Sequence, residues 1–182
     1  MMKMYRYLAI FASLIGCTVI LCVVLIVTGT ATPFISGFAV DASNRIYIGT
    51  QNEIRVYEDS TLINIINPQT SRAYVFTINK DGNLLLSTSI KTYILDLDGN
   101  ILDVQEDLGA DMYNQLQYQK KFISNNGDEF VLVDTIGLTR IIKNDTETVY
   151  QISWLSFAVK ILLAVCTVAL FVFSIWFVKQ KV

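Results

Sequence analysis

Histidine is absent from this 182-residue sequence, and the three cysteines, Cys17, Cys22 and Cys166, all lie in uncharged apolar runs near the two ends. The segment between those runs therefore lacks the commonest general base, the usual zinc ligands and any thiol nucleophile. Disulfides do not hold it together either. No glycine-rich phosphate loop occurs. Acidic residues are missing from both ends, since all sixteen fall between Asp41 and Glu147. The ends carry only Lys3, Arg6, Lys179 and Lys181, a charge of +4. The other ten basic residues leave the centre at −6. That acidic balance argues against nucleic acid as a partner. Carboxylate pairs or Ser–Lys arrangements are compatible with the composition, but no spacing points to one. No catalytic residue and no cofactor is expected.

What the chain has in excess is apolar sequence. Its mean hydropathy of +0.46 and 53% hydrophobic content exceed those of an ordinary soluble domain. The excess is concentrated in Leu8–Val27 and Ile161–Val178, two stretches without a charge. As helices rising 1.5 Å per residue they measure roughly 27–30 Å, the thickness of a bilayer's hydrocarbon core. Two transmembrane helices are expected, with the lipid bilayer as a partner. Basic residues beside both spans (Lys3, Arg6, Lys179, Lys181) predict cytoplasmic termini and an extracytoplasmic centre, in a bacterial cytoplasmic membrane. Trp154 and Trp176 suit aromatic belts at the two interfaces. Lys160 suits a lysine that snorkels beside the outer belt, with a buried functional lysine as the sharper alternative. Two processing signals compete with the first span: Leu14-Ile-Gly-Cys17 reads like a lipobox, and Ala31 offers a signal-peptidase site. The apolar run is longer than a signal core, which favours a retained anchor. Ala12 and Gly16 form a small-xxx-small pair that would admit a close helix neighbour.

Between the spans the pattern changes to short alternating runs broken by turn residues, the mark of many short strands. The runs are Phe38–Val40, Ile46–Ile48, Ile54–Tyr57, Leu62–Ile66, Tyr74–Ile78, Leu84–Leu86, Tyr93–Leu97, Ile101–Val104, Phe122–Ile123, Phe130–Val133, Leu138–Ile142 and Val149–Ile152. They fall into three groups of four that align on their turns. The first hairpins carry Asp41-Ala-Ser-Asn44, Asn79-Lys-Asp-Gly-Asn83 and Asn125-Asn-Gly-Asp128. The last carry Glu58-Asp-Ser60, Asp98-Gly-Asn100 and Asn144-Asp-Thr146. Such residues supply positive φ and local side-chain hydrogen bonds. The step from Ile46 to Leu84 is 38 residues and from Leu84 to Phe130 is 46. A period near forty with four strands per unit is the spacing of a propeller blade.

The first unit, Phe38-Ala-Val-Asp-Ala-Ser-Asn-Arg-Ile-Tyr-Ile-Gly-Thr50 with Ile54-Arg-Val-Tyr57, resembles NHL-type and quinoprotein-type β-propeller repeats. The second is similar to them in Asn83-Leu-Leu-Leu-Ser-Thr88 and Tyr93-Ile-Leu-Asp-Leu-Asp-Gly-Asn100, and the third matches in outline. The resemblance covers roughly Phe38 to Ile152. It implies a packed β scaffold that binds a ligand or partner, and no family active site. The expected fold is an α+β membrane protein in which two transmembrane helices flank an all-β domain of about twelve short antiparallel strands in three blade-like four-stranded repeats. Its parts are a tail (1–7), a span (8–28), a linker (29–36), the β domain (37–152), a second span (153–178) and a tail (179–182). Within the β domain the blades are about 37–67, 73–104 and 120–152, and 105–119 is a short helix or insertion. A closed propeller needs about four or more blades. Three blades imply a three-sheet prism, an open half-propeller, or two chains completing a six-bladed ring as a homodimer.

Asp96, Asp98 and Asn100 alternate oxygen ligands as a calcium loop does, with Asp107 at its twelfth position. Ile101 stands where such a loop needs glycine, so a hairpin turn is the simpler reading. Asn144-Asp-Thr146 is a glycosylation acceptor only in a eukaryotic secretory route. Tails of seven and four residues carry no output domain. The linker Thr28–Ile35 spans at most about 25 Å, which holds the β domain close to the membrane. These readings lead to a non-enzymatic, membrane-anchored interaction or sensing module that acts as an accessory subunit of another membrane protein. The alternative is an envelope protein that recognises a peptide, glycan or lipid through its blade surface, and an envelope hydrolase comes third.

Overall fold

The computed structural model describes residues 2–68, 70, 73–106, 109–124, 126–136 and 138–179, without the side chains of 2–9 and 177–179. The chain forms two compact units, Met1–Pro33 with Ile152–Val182, and Phe34–Gln151. Helices α1 (Met2–Val27) and α3 (Trp154–Lys179) make the first. The second holds strands β1 (Gly37–Val40), β2 (Ile46–Gly49), β3 (Ile54–Glu58), β4 (Thr61–Ile66), β5 (Tyr74–Ile78), β6 (Leu84–Thr88), β7 (Thr92–Leu95) and β8 (Ile101–Gln105). Helix α2 (Gly109–Leu116) and strands β9 (Lys121–Ile123), β10 (Glu129–Asp134), β11 (Thr139–Lys143) and β12 (Glu147–Gln151) complete it.

In the helical unit α1 ends at Gly29, whose φ of +70° turns the chain out of the helix. Ser153 caps α3: the Ser156 N–H donates to its Oγ at 3.2 Å. Ser156 Oγ in turn accepts the Thr32 N–H at 2.9 Å, which ties the segment after α1 to the first turn of α3. Cys22, Ala31 and Val159 are buried between the helices, with Leu25, Ile26 and Leu163 against them. Elsewhere the apolar side chains face outward: Leu14 is 61% exposed, Val168 62% and Phe171 67%. A soluble core would enclose such residues. Both helices are long and apolar enough to cross a membrane, over Ile10–Val27 and Trp154–Trp176.

The β unit consists of three four-stranded antiparallel meanders, β1-β2-β3-β4, β5-β6-β7-β8 and β9-β10-β11-β12. The first sheet is covered on both faces, and the two-residue period of a strand explains how. Ala39, Tyr47, Ile54 and Val56 point to one side and share a core with Tyr74, Phe76, Leu84, Leu86 and Leu95 of the second sheet. Phe38, Val40, Ile46 and Ile48 point to the other and pack on Phe130 and Ile141 of the third. Strand β2 (Ile46-Tyr-Ile-Gly49) is accordingly buried at all four positions. A strand enclosed on both faces reads as a continuous apolar run.

The three sheets repeat local detail as well as strand order. The first hairpins close alike: the N–H groups of Asn44, Gly82 and Gly127 donate to the carbonyls of Asp41, Asn79 and Ser124. Each donor takes positive φ, between 64° and 84°. In the middle hairpins Thr50, Thr88 and Thr135 direct their Oγ1 to the carbonyls of Glu53, Lys91 and Leu138. Each outer strand then carries an irregularity, against Val56/Tyr57, Ile94/Leu95 and Ile141/Ile142 of its neighbour. Bulges there twist an exposed edge and weaken it as a template for further pairing. The third hairpins differ. Asp59-Ser60 and Asn144-Asp145 are left-handed pairs, whereas the second sheet uses the longer Asp96–Asn100 turn. That longer turn ends β7 at Leu95, so Leu97 lies in the turn rather than in the expected strand.

Candidate functional site

The β unit contains a cleft that the sequence did not single out. It is half open, has a volume of about 480 Å³, and is lined by Ser36, Thr50, Gln51, Asn52, Thr70, Ala73, Tyr74, Val75, Tyr113 and Gln117. Four segments build it: the residue before β1, the β2–β3 turn, the connection into β5, and α2 with the residue that follows it.

Its floor is fixed by a buried tyrosine. Tyr74 leads β5 and directs its hydroxyl to the carbonyls of Thr50, at 2.7 Å, and Glu53, at 2.9 Å. Ser36 Oγ reaches the same Thr50 carbonyl at 3.4 Å, and the Ser36 N–H donates to Gly49. Thr50 donates from N and Oγ1 to Glu53, so the turn carrying Gln51 and Asn52 is held at both ends. Burial pushes the Tyr74 phenol up to about 12, and it stays neutral throughout the physiological range.

The remaining wall comes from the inserted helix. Gly109 opens α2 against the backbone of Ile90 and Lys91, where a Cβ would lie 2.6 Å from the Ile90 carbonyl oxygen. Buried Ser87 donates its hydroxyl to the Gly109 carbonyl at 2.9 Å. Glycine permits that close approach, and with α2 seated there Tyr113 and Gln117 line the cleft. Segment 105–119, expected as a short helix or insertion, is thus the part of the chain that completes the cleft.

Among the described residues that line the cleft none is an acid or a base, and Tyr74 and Tyr113 are the ones with a phenol. The cleft offers hydroxyls, carboxamides and one partly exposed aromatic ring. It is equipped to hold a ligand by hydrogen bonds and stacking.

The residues singled out from sequence lie elsewhere. Asp96 Oδ1 accepts the N–H groups of Asp98 and Asn100 at 3.0 and 2.8 Å, and Oδ2 accepts the Asn100 amide at 2.7 Å. The Asn100 side chain, then the backbone amides, lower the Asp96 pKa from its usual carboxylate range. These three residues lie in a closed hairpin turn in which both Asp96 oxygens accept from the turn's own donors. Asp107 lies outside the described residues. Among the described residues no group of three or more Asp, Glu or Cys side chains could hold a metal. Trp154 stacks on Phe157 in the first turns of α3, with centroids 5.3 Å apart, and Trp176 lies 6.2 Å from Phe173 near its end. Lys160 is partly buried on the same helix. Lys181 and the side chains of Lys3, Arg6 and Lys179 lie outside the described residues.

No protein-family profile matches the sequence, and no curated protein does. Among solved structures the chain is similar to a crystal structure of a protein of unknown function from Bacteroides caccae. The likeness has a TM-score of 0.33 at 11% identity and covers 65% of this chain and 45% of that one. This chain therefore spans less than half the length of that protein.

Proposed function

We propose that the protein is a membrane-anchored, non-enzymatic recognition module whose β unit binds a partner or ligand in the cleft beneath α2. The observation that carries this reading is the cleft itself: a recess of small-molecule size walled by the one helix inserted between otherwise repeating sheets. Its lining supports binding over turnover, because hydroxyls, carboxamides and two phenols make up the polar side chains among the described lining residues. On this reading α1 and α3 cross a bacterial cytoplasmic membrane, with both termini inside and the β unit outside. The outward-facing leucine, valine and phenylalanine side chains of both helices support that.

The β unit on this account is a three-bladed, propeller-like scaffold of the NHL or quinoprotein type. Repetition of turn, threonine and edge irregularity in all three sheets supports the assignment. So does the approach of β1 to both β5 and β9, which brings the first strand of each sheet together as inner strands of blades would be.

The test uses the full chain in detergent, exposed to an envelope extract and examined by native mass spectrometry. A bound mass that is lost when Ala73→Trp fills the cleft, and retained in Asn64→Asp on β4, supports the reading. A bound mass indifferent to Ala73→Trp contradicts it.

A second reading, an accessory subunit docked on another membrane protein, is favoured by β4. This outer strand has no charge and exposes Leu62, Ile63 and Ile65. Under that reading Ile63→Lys, rather than Ala73→Trp, abolishes copurification of a discrete membrane partner.

A further inference from the structure

Strand register fixes the end of each sheet at which a turn lies. Gly37, first in β1, pairs with Gly49, so the chain enters the first sheet at its β2–β3 hairpin. Tyr74, first in β5, pairs with Thr88 beside the β6–β7 hairpin, and its hydroxyl bond to the Thr50 carbonyl sets these two ends together. Gln151, last in β12, pairs with Arg140 beside the β10–β11 hairpin, so the chain leaves the third sheet at its middle hairpin as well. The segment before β9 lies on that end too, because Lys121 pairs with Val131 and the Leu132 N–H donates to the Lys120 carbonyl. Entry and exit therefore both use middle-hairpin ends.

The two sets of ends differ in chemistry. Each turn at the opposite ends carries an aspartate: Asp41, Asp59, Asp81, Asp96, Asp128 and Asp145. Among the described residues of those turns no large apolar side chain is exposed. The middle-hairpin ends instead expose Ile136 and Ile90 at two hairpin tips, Phe34 before β1 and Tyr118 before β9, with Ile136 at 74% and Tyr118 at 77%. Scattered apolar side chains need no explanation, but a set at the ends through which the chain enters and leaves does. Gln151 stands three residues before Trp154, the first residue of α3, which is about 10 Å at full extension. Isoleucine tips and tyrosine and phenylalanine rings, tethered that closely to the start of a span, match the headgroup layer of a bilayer. The aspartate-bearing turns are at the same time kept away from an anionic lipid surface.

We propose that the middle-hairpin end of the β unit is a lipid-binding surface, with Ile136, Tyr118, Ile90 and Phe34 as the side chains that enter the headgroup layer. This rests on the reading that α1 and α3 cross a membrane, and the test separates the two claims.

Full-length protein, with its native cysteines replaced by serine or alanine, is reconstituted into vesicles of phosphatidylcholine and phosphatidylglycerol. Ile136→Cys, Lys80→Cys and Val168→Cys each carry an environment-sensitive fluorophore; all three positions are exposed, so no core contact is removed. Lipids with a nitroxide at headgroup level or deep in the acyl chain serve as quenchers. Held about 5–10 Å into the interface, position 136 should lose about half its emission to the headgroup-level nitroxide. Position 80, in the β5–β6 turn, should keep its emission, and position 168 should respond to the deep nitroxide. If position 168 responds while position 136 is quenched no more than position 80, the lipid surface falls and the membrane reading stands. A fluorophore at position 136 that is blue-shifted yet unquenched by lipid also overturns it, and puts a second copy of the chain there instead. If position 168 is unquenched as well, both claims fall.

Discussion

Gly99 and Gly82 both occupy left-handed turns, at φ +93° and +81°, yet their surroundings differ. A Cβ on Gly99 would lie 2.5 Å from Ile66 Cγ2 on β4, whereas one on Gly82 meets open space. Gly82→Ala should therefore cost about 1 kcal/mol, the backbone term alone. Gly99→Ala should cost at least about 1 kcal/mol more, because Ile66 must shift within a packed core. Urea unfolding followed by circular dichroism compares the two, and equal costs would mean that Ile66 yields freely. The buried phenols set a second expectation. Burial raises Tyr47 and Tyr74 to about 12, with Asp41 adding to the effect on Tyr47. Their folded pKa values lie above the unfolded value near 10, so their contribution is complete below pH 10. It is lost as the pH climbs from about 10 through 12, where the unfolded chain ionises first. Melting temperature should fall steeply over that interval, and less steeply in Tyr47→Phe. Asp96 was legible as a turn residue because an aspartate two residues before Asp-Gly accepts the turn's own amides. Tyr74 was not, since nothing in a strand's alternation tells a core tyrosine from one that pins a distant turn.

At the scale of elements, the strands were legible because alternation and Asn/Asp/Gly turns set both register and ends. The threonine shared by the middle hairpins was not seen, because Thr50, Thr88 and Thr135 are flanked by unlike residues and are separated by 38 and then 47 positions. Their equivalence lies in a hydrogen bond to the third residue on, not in a sequence word. Replacing any of the three by valine should cost about 1 kcal/mol, with similar values in all three sheets if the repeats are structurally equivalent. A large cost at only one of them would break the equivalence. Helix α2 was legible as an insertion but not as a wall, because its docking depends on one glycine against the Ile90–Lys91 backbone. Gly109→Ala should lift α2 from β6 and increase hydrogen exchange across Gly109–Leu116. The protection of β10 and β11 should stay unchanged. Exchange that rises throughout the β unit would show instead that α2 is part of its core.

For the whole molecule, the segregation of charge and hydropathy along the chain announced two apolar helices around an acidic centre, and the structure contains those helices with apolar faces outward. The cleft was invisible at this scale because it is assembled from four segments that are separate in sequence, none of which carries a motif. The account stands or falls on the β unit being held outside a membrane by both helices. Single-cysteine labelling in intact cells with a membrane-impermeant maleimide tests that directly, in a chain whose three native cysteines are replaced by serine or alanine. Lys80→Cys, in the exposed β5–β6 turn, should be labelled in intact cells, whereas Lys3→Cys should be labelled only after the membrane is opened. Labelling of Lys3→Cys in intact cells, or of Lys80→Cys only after permeabilisation, would contradict the account.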